Sequence, residues 1–284
     1  MTMGTVPSKV YDEIYFADDP SWSRFLAAQG KNWTMVDSYV LSLCDIRPGM
    51  AILEVGCGSG GFIFTCARER RIFAVGIDYA AEAIRIASQV VRGFVDEDFV
   101  GQLHFVRADA ARLPLRDCSF DVIYSCFLVE HLFPEELYSM LRDSWRLLKP
   151  GGRVIIETAP NLWRLKYGFP LTRLAYRIPV LARLYKQMMD MTEVPWQAKT
   201  DEDARYHVNE QSVVSLKKVM RQAGFRARTW VGPERGERFT LASFQWRWGR
   251  KGRLIWWIYS LFYRDYPFKL IFGDTIFGVG EKAV

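Results

Sequence analysis

The apolar positions of the chain alternate between two spacings. Short segments of five to seven residues that are rich in apolar residues predict strands at 51–55, 72–78, 103–108, 120–126, 153–158, 226–231 and 275–281. Apolar residues three or four apart predict helices at 62–67, 80–94, 134–149 and 209–223. This alternation predicts a parallel sheet with helices on both faces. Lys149, Pro150, Gly151 and Gly152 are expected to end the third helix.

The turn after the first strand carries the most specific chemical pattern. The run AILEVGCGSGG, residues 51–61, places Glu54 two residues before the first of several glycines. Glycines without side chains let a ligand lie on the backbone, and the next helix offers free N–H groups at its N-terminus. Asp78 ends the second strand, where an acid can accept both hydroxyls of a ribose. Glu54 would repel a pyrophosphate but not a sulfonium or an ammonium, although a nucleotide-binding Rossmann domain of another type stays open.

The spacing E-x-G-x-G-x-G followed by Asp78 resembles the class I S-adenosylmethionine-dependent methyltransferases. The run RLLKPGG at 146–152, the run ADAARLP at 108–114 and the run FDVI at 120–123 resemble the small-molecule branch, which includes the quinone-biosynthesis C-methyltransferases. The resemblance implies an α/β fold, with a doubly wound, mostly parallel, seven-stranded Rossmann-like sheet. It also implies S-adenosyl-L-methionine as the cofactor.

Three segments lie outside this resemblance, and they suggest how the chain is organised. In the family the last two strands usually form a tight hairpin, whereas about forty residues separate them here. We therefore divide the chain into an N-terminal helical lid (1–44), a cofactor-binding core (45–160), a cap insert (161–204), a core continuation (205–231), a second aromatic and basic insert (232–272) and the last core strand (273–284).

The resemblance also implies a set of cofactor contacts. The turn residues Gly56, Cys57, Gly58 and Gly60 contact the methionine half, and Glu54 orients its ammonium group through the turn or a water molecule. Asp78 accepts from the ribose hydroxyls, and Tyr79 packs on the adenine. Asp109, beside the backbone of Ala110, accepts from the adenine amine. Tyr11 or Tyr15 of the lid closes over the sulfonium. The alternatives are that Asp78 caps the helix beginning at Ala80, that Asp109 starts a turn, and that the lid tyrosines only pack.

The candidate catalytic residues are two of the three histidines. A general base is needed only when the acceptor carries a proton with a high pKa. His131 follows the fourth strand, whose end faces the methyl group in this fold, and His207 lies where the first insert returns to the core. Each is either a base or a structural residue. Glu130 is expected to point elsewhere, and His104 is expected to pack within the third strand.

Composition limits the location and the partners. Five cysteines without a C-x-x-C pair indicate reduced, mostly buried thiols of a cytoplasmic protein; no metal-ligand cluster is visible, so no metal is expected. The first ten residues contain no apolar signal region.

The net charge of +6 is unevenly distributed along the chain. Residues 162–189 and 246–272 each carry six Lys or Arg residues among aromatic and aliphatic ones. These stretches suit either a peripheral contact with the inner membrane surface or a cap over an apolar pocket. Nucleic acid is not expected as a partner, and the oligomeric state stays open.

The sequence thus predicts an S-adenosylmethionine-dependent methyltransferase that acts by in-line displacement on a small-molecule or amphiphilic acceptor, which is either lipid-like or linked to a glycan. Two alternatives stay open. One is a non-catalytic cofactor-binding module that regulates a partner, and the other is a methyltransferase for protein or RNA. Residues 125–128 read SCFL instead of Asn/Asp-Pro-Pro-Tyr/Phe, which argues against methylation of amino groups in nucleic acid or glutamine.

Overall fold

A computed structural model describes residues 38–70, 72–94, 102–189, 199, 205–232, 241–264 and 266–284. Most of the predicted lid, including Tyr11 and Tyr15, lies outside the described residues. Among the described residues, no helix combines the length and the apolar character that crossing a bilayer requires.

The sheet has seven strands in the order β3-β2-β1-β4-β5-β7-β6. Their bounds are β1 Ala51–Val55, β2 Phe73–Asp78, β3 Leu103–Arg107, β4 Phe120–Cys126, β5 Leu148–Thr158, β6 Arg226–Val231 and β7 Ile276–Glu281. The first five strands run parallel, and β7 pairs antiparallel with both β5 and β6. The predicted doubly wound, mostly parallel seven-stranded sheet is therefore confirmed.

Helices cover the sheet and form the inserts. Their bounds are α1 Ser38–Cys44, α2 Gly61–Arg70, α3 Ala81–Phe94, α4 Pro134–Leu147, α5 Phe169–Tyr176, α6 Pro179–Met189, α7 Val213–Gln222, α8 Leu241–Trp248, α9 Gly252–Tyr259 and α10 Lys269–Phe272. Short 3-10 helices occupy Val129–His131 and Gly249–Lys251, and π-helical turns occupy Arg164–Gly168 and Ser260–Arg264.

Three predicted helix ends are wrong, and one of them is the end of α2, which continues to Arg70 instead of ending at residue 67. Helix α4 ends at Leu147, and Leu148 already has extended dihedral angles and pairs with Phe120 of β4. The run Lys149 to Gly152 therefore belongs to β5 and is not a helix stop. Helix α7 begins at Val213 rather than at Asn209, because the Ser212 hydroxyl accepts a hydrogen bond from the Ser215 N–H at 3.0 Å and caps the helix there.

The core lies on both faces of the sheet. Ile52 and Leu53 are adjacent in β1 and both fully buried, yet they belong to different apolar clusters. Side chains that alternate along a strand point to opposite faces, so each face is covered by its own helices. Three of the five cysteines, Cys44, Cys57 and Cys66, are buried, as expected.

The two inserts pack together into one helical cap. Ile255, Tyr259 and Tyr263 of the second insert form an apolar cluster against which Tyr185 of the first insert packs. Asn161, at the start of the first insert, donates from Nδ2 to the carbonyl oxygens of Leu270 and Gly273 at 2.9 and 3.0 Å. The cap is therefore joined directly to the segment that leaves β5.

Candidate active site

The glycine-rich turn is bonded to the neighbouring strand. The N–H groups of Gly56 and Cys57 both donate to the carbonyl oxygen of Ile77 in β2, at 2.8 and 2.9 Å. The glycines at 56, 58 and 60 have φ values of 77°, 50° and 81°, which lie in the left-handed region that favours glycine. Burial raises the pKa of the Cys57 thiol well above its ordinary value, so this cysteine stays protonated.

At Gly56 and Gly60 the side chains of Leu128 and Phe105 occupy the space that a larger residue would need. A Cβ atom at Gly56 would lie 3.0 Å from Cδ2 of Leu128, and one at Gly60 would lie 2.7 Å from Cε1 of Phe105. At these two positions the space that a larger residue would need is filled from β3 and from the segment after β4. Packing within the protein therefore requires glycine at these two positions, in addition to the predicted contact of a ligand with the backbone.

Asp78 joins the turn to the following helix. Its Oδ2 accepts from the Gly58 N–H at 3.0 Å, and its Oδ1 accepts from the Ala80 N–H at 2.9 Å. Burial raises the pKa of this carboxyl group, while the backbone donors oppose the shift. The capping role is thus present in the structure. The same carboxylate lies at the end of β2, where a ribose contact stays a prediction.

Glu54 lies beneath the turn. The side chain is 4% exposed, and Oε2 accepts from the Ile63 N–H at 3.2 Å. This bond occupies one of the free donors at the N-terminus of α2. Burial raises the pKa of Glu54 well above its ordinary value. Its influence on an ammonium group stays a prediction.

Tyr79 and Asp109 lie at the ends of β2 and β3. Burial, with the charges of Asp78 and Asp109, raises the pKa of Tyr79 to about 12, so the tyrosine and the two acids are near one another. Asp109 is exposed, and its Oδ1 accepts from the Ala111 N–H at 2.8 Å, which is the turn-forming alternative. Ala110 is buried beside it. An adenine contact for these residues stays a prediction.

His131 and His207 come together. His131 ends the 3-10 turn after β4, and its N–H donates to the carbonyl oxygen of Leu128 at 2.9 Å. Leu128 is the residue that covers Gly56. The N–H groups of Val208 and Asn209 donate to the Glu130 carbonyl oxygen at 2.8 and 3.1 Å. This docking places the His207 ring 4.7 Å from the His131 ring, with the two planes at 90°.

Glu130 belongs to the same group, so the expectation that it points elsewhere is wrong. The side chain is 1% exposed and accepts from the Thr158 hydroxyl at 2.7 Å. One ligand-capable atom from each of Glu130, His131 and His207 lies within 4.8 Å of the others. The sequence shows no such cluster because His207 is far from the other two along the chain. His104 differs too: it is exposed and its ring lies beside Phe73, 5.3 Å between centroids.

The sequence reasoning missed a buried acid at the end of β5. Glu157 is 1% exposed and accepts a hydrogen bond from the Tyr124 hydroxyl at 2.8 Å. Burial raises the pKa of Tyr124 well above its ordinary value, so the phenol stays a donor. An acid within an apolar run, as in RVIIET, is the signal that could have identified it.

Comparison with known proteins assigns the core. Residues 52–152 match a family model described as a methyltransferase domain. A phosphoethanolamine N-methyltransferase of Triticum aestivum is 33% identical over 120 residues, which cover 41% of this chain and 22% of that protein. The ubiquinone/menaquinone biosynthesis C-methyltransferase of Idiomarina loihiensis is 34% identical over 119 residues, which cover 42% of this chain and 46% of that protein.

A solved structure shows the same fold. Phosphoethanolamine N-methyltransferase 2 of Haemonchus contortus, in complex with S-adenosyl-L-methionine, superposes with a TM-score of 0.61 at 16% identity, over 99% of this chain and 61% of that chain. Residues 52–152 therefore form a methyltransferase domain, and the chain is similar in sequence and fold to class I S-adenosylmethionine-dependent methyltransferases.

The methyltransferase domain contains the turn, Asp78, Asp109 and His131, whereas His207 lies beyond the matched residues. The residues fit S-adenosyl-L-methionine as the cofactor, because Asp78 and Asp109 lie at the ends of β2 and β3, and Asp78 lies against the glycine turn. The chain spans about a fifth of the length of the first plant relative that it matches. The match therefore identifies the domain, and the two inserts lie outside it.

Proposed function

We propose that this methyltransferase domain transfers the methyl group of S-adenosyl-L-methionine to a small-molecule or amphiphilic acceptor. The acceptor atom attacks the methyl carbon as the carbon–sulfur bond breaks in line, and S-adenosylhomocysteine leaves. The observation that carries the proposal is the bond between Asp78 and the Gly58 N–H. It places an acid of β2 against the turn of β1, at the point where a ligand of an open parallel sheet binds.

In this proposal the predicted cofactor residues keep their roles. The turn holds the methionine half, Asp78 accepts from the ribose, and Tyr79 packs on the adenine. The bond from Glu54 to the N-terminus of α2 supports an indirect role, because it makes the position of the turn depend on that carboxylate. Tyr11 and Tyr15 would complete the site from the lid.

His131 and His207 are proposed to assist loss of the acceptor proton. Leu128 connects His131 to Gly56, so both imidazoles lie on the side of the turn where β4 ends. A proton-accepting group there would matter for a hydroxyl or a carbon acid and not for an acceptor that is already a strong nucleophile. Alignment and exclusion of water by the cap supply the rest of the rate enhancement.

The cap is proposed to bind the acceptor. Arg164 of the first insert forms an ion pair with Asp274 at 2.6 Å, which is close to the end of the second insert. Together with the bonds from Asn161, this pair holds both inserts over the carboxyl end of β5. The acceptor therefore meets residues that the matched domain does not contain.

The outer surface of the cap favours an amphiphilic acceptor taken from an anionic membrane surface. Trp246 is 87% exposed, Val180 74%, Leu254 61%, Leu174 60% and Trp257 58%. Exposure of so many large apolar side chains marks an interaction surface. The basic residues interspersed with them are Arg173, Arg177, Arg183, Lys186, Arg250, Lys251 and Arg253. Their charge is complementary to anionic head groups, and this placement would make the protein peripheral on the inner surface.

Calorimetry with S-adenosyl-L-methionine tests the cofactor site. Asp78→Ala should weaken binding more than about tenfold, since hydrogen bonds to a charged acceptor contribute about 1.5–3 kcal/mol each. Asp45→Ala is the matched control, because the Asp45 side chain is 44% exposed and pairs with Arg47. Absent binding, or equal loss in both variants, would refute the assignment.

Labelled cofactor with host extracts tests the acceptor. A labelled small molecule or lipid is the expected product. Cofactor binding without turnover would favour a regulatory module, and label on protein or RNA would favour a methyltransferase for protein or RNA.

Liposome sedimentation tests the cap. The full chain should sediment with anionic and not with neutral vesicles, less so at high salt, and a Trp246→Ser, Trp257→Ser double variant should lose the effect. The Tyr138→Ser variant, in α4, is the control for removal of an exposed aromatic. No sedimentation would leave a diffusible acceptor.

A further inference from the structure

We propose that Glu130, His131 and His207 form a binding site for one divalent cation of the zinc, manganese or iron class. Two imidazoles and one carboxylate are a ligand set that these metals use, with open positions left for water or substrate. Three ligand-capable atoms, one from each residue, lie within 4.8 Å of one another. The inference does not depend on methyl transfer, and only the role of the cation rests on the proposed function.

The backbone holds the three ligands in place. Glu130 and His131 share the 3-10 turn after β4, and the carbonyl oxygen of Glu130 accepts from both N–H groups that follow His207. The insert thus returns to the core at the ligand cluster itself. A site assembled from two distant segments needs a fixed connection between them, and these two bonds supply it.

The three ligand-capable atoms lie farther apart than the ligands of a bound ion would, by a small distance. Bonds of about 2.1 Å in a tetrahedral site place ligand atoms about 3.4 Å apart. Binding would require the three ligand atoms to approach one another by roughly 1–1.5 Å, a shift of the size that side-chain torsions can produce. The rings of His131 and His207 are perpendicular, with 4.7 Å between their centroids.

The charge distribution favours a cation. The Glu130 side chain is 1% exposed. Its carboxylate shares the cluster with two imidazoles, whose ligand atoms lie within 4.8 Å of it. Burying a carboxylate is costly, and a dication bound between these three groups would offset that cost. The hydroxyl of Thr158 donates to Glu130 at 2.7 Å and orients it, as partners of metal ligands commonly do.

The position suggests what a cation would do. Leu128 separates His131 from Gly56, so the cluster lies beside the turn. A cation bound there would polarise an oxygen of the acceptor and lower the pKa of its hydroxyl. The two histidines would then assist proton loss through the ion instead of as bases.

Cation binding to the full chain, stripped with chelator and free of cofactor, tests the site. Titration with Zn²⁺ and visible spectroscopy with Co²⁺ should show one site. His131→Ala, His207→Ala and Glu130→Gln should each weaken binding more than about tenfold, and Thr158→Val should weaken it less. His104→Ala should bind as wild type, and it is a strict control because the chain has three histidines.

Several outcomes would overturn the proposal. The first is that the wild-type chain binds no cation. The second is that His131→Ala and His207→Ala bind as the wild type does. The third is a Co²⁺ spectrum with thiolate charge-transfer bands, which would place the ion on a cysteine. Circular dichroism verifies that each variant folds. If a ligand variant does not fold, Thr158→Val still tests the proposal, because it keeps all three ligands. Because cofactor is omitted, failure here is distinguishable from failure of the methyltransferase proposal.

Discussion

Gly60 permits a quantitative test of the turn, because the chain contains a matched glycine. Gly60 has a φ of 81° and Gly49 a φ of 83°, so alanine at either position meets the same backbone strain. At Gly49 nothing lies within 4 Å of an added Cβ atom. At Gly60 the added atom would lie 2.7 Å from Cε1 and Cζ of Phe105 and 3.1 Å from the Cβ of Ala87.

The difference between the two alanine variants isolates the clash. An L-residue in the left-handed region costs about 1–2 kcal/mol, which both variants bear. Overpacking of a filled space costs typically about 1–3 kcal/mol, which only Gly60→Ala bears. Phe105 also lies 2.8 Å from the position of a Cβ atom at Gly76, so its ring contacts two glycines at once. We therefore expect losses of about 2–5 kcal/mol for Gly60→Ala and about 1–2 kcal/mol for Gly49→Ala.

Urea denaturation of both variants measures these free energies of unfolding. Addition of Phe105→Leu to Gly60→Ala should recover part of the loss, and the double-mutant cycle gives the coupling between the two residues. Gly60→Ala should also weaken cofactor binding, since the turn must shift. Equal losses for the two alanine variants, or no coupling with Phe105, would refute the argument that Gly60 is required by packing.

Three further predictions concern charged and polar groups. Burial raises the pKa of Asp78, so its contribution to stability is full at low pH and falls as pH rises through the raised value; Asp78→Asn should flatten this pH dependence of Tm in scanning fluorimetry. Arg164→Met should cost about 1–3 kcal/mol in urea denaturation and speed proteolysis of the cap, because Asp274 loses its 2.6 Å partner; unchanged proteolysis would contradict the role of this pair in holding the first insert to the segment before β7. Tyr124→Phe should cost about 1–3 kcal/mol, since buried Glu157 loses a donor, and Tyr138→Phe should be near neutral.

The strands and the glycine turn could be predicted because their causes are local. β1, β4 and β6 have the predicted bounds. β1 and β4 are largely apolar and buried on both faces, whereas β6 mixes exposed and buried positions. The end of α4 could not be predicted in the same way. It depends on Leu148 pairing with Phe120 across the sheet, which overrides the usual effect of a Lys-Pro-Gly stop.

Some residues of the candidate site could likewise be placed from local sequence, and others could not. The carboxylate of Asp78 could be placed because it ends a strand beside the turn. Glu130 could not be placed, because adjacency to His131 predicts divergent side chains in a strand or helix, whereas a 3-10 turn lets both reach one region. His207 reaches that region only through the bonds of the next two N–H groups to Glu130. No local pattern encodes such a contact.

The same contacts couple the cap to the chemistry. Thr158, the last residue of β5, orients Glu130, and three residues later Asn161 bonds to the second insert. Where the first insert returns to the core, the N–H groups of Val208 and Asn209 donate to the carbonyl oxygen of Glu130. The cap is thus attached to residues that also position Glu130 and His207, whereas the N–H groups of Gly56, Cys57 and Gly58 in the turn donate to β2. Acceptor binding is thus expected to alter the Glu130 cluster, and cofactor binding to alter the turn, as separable events within one fold.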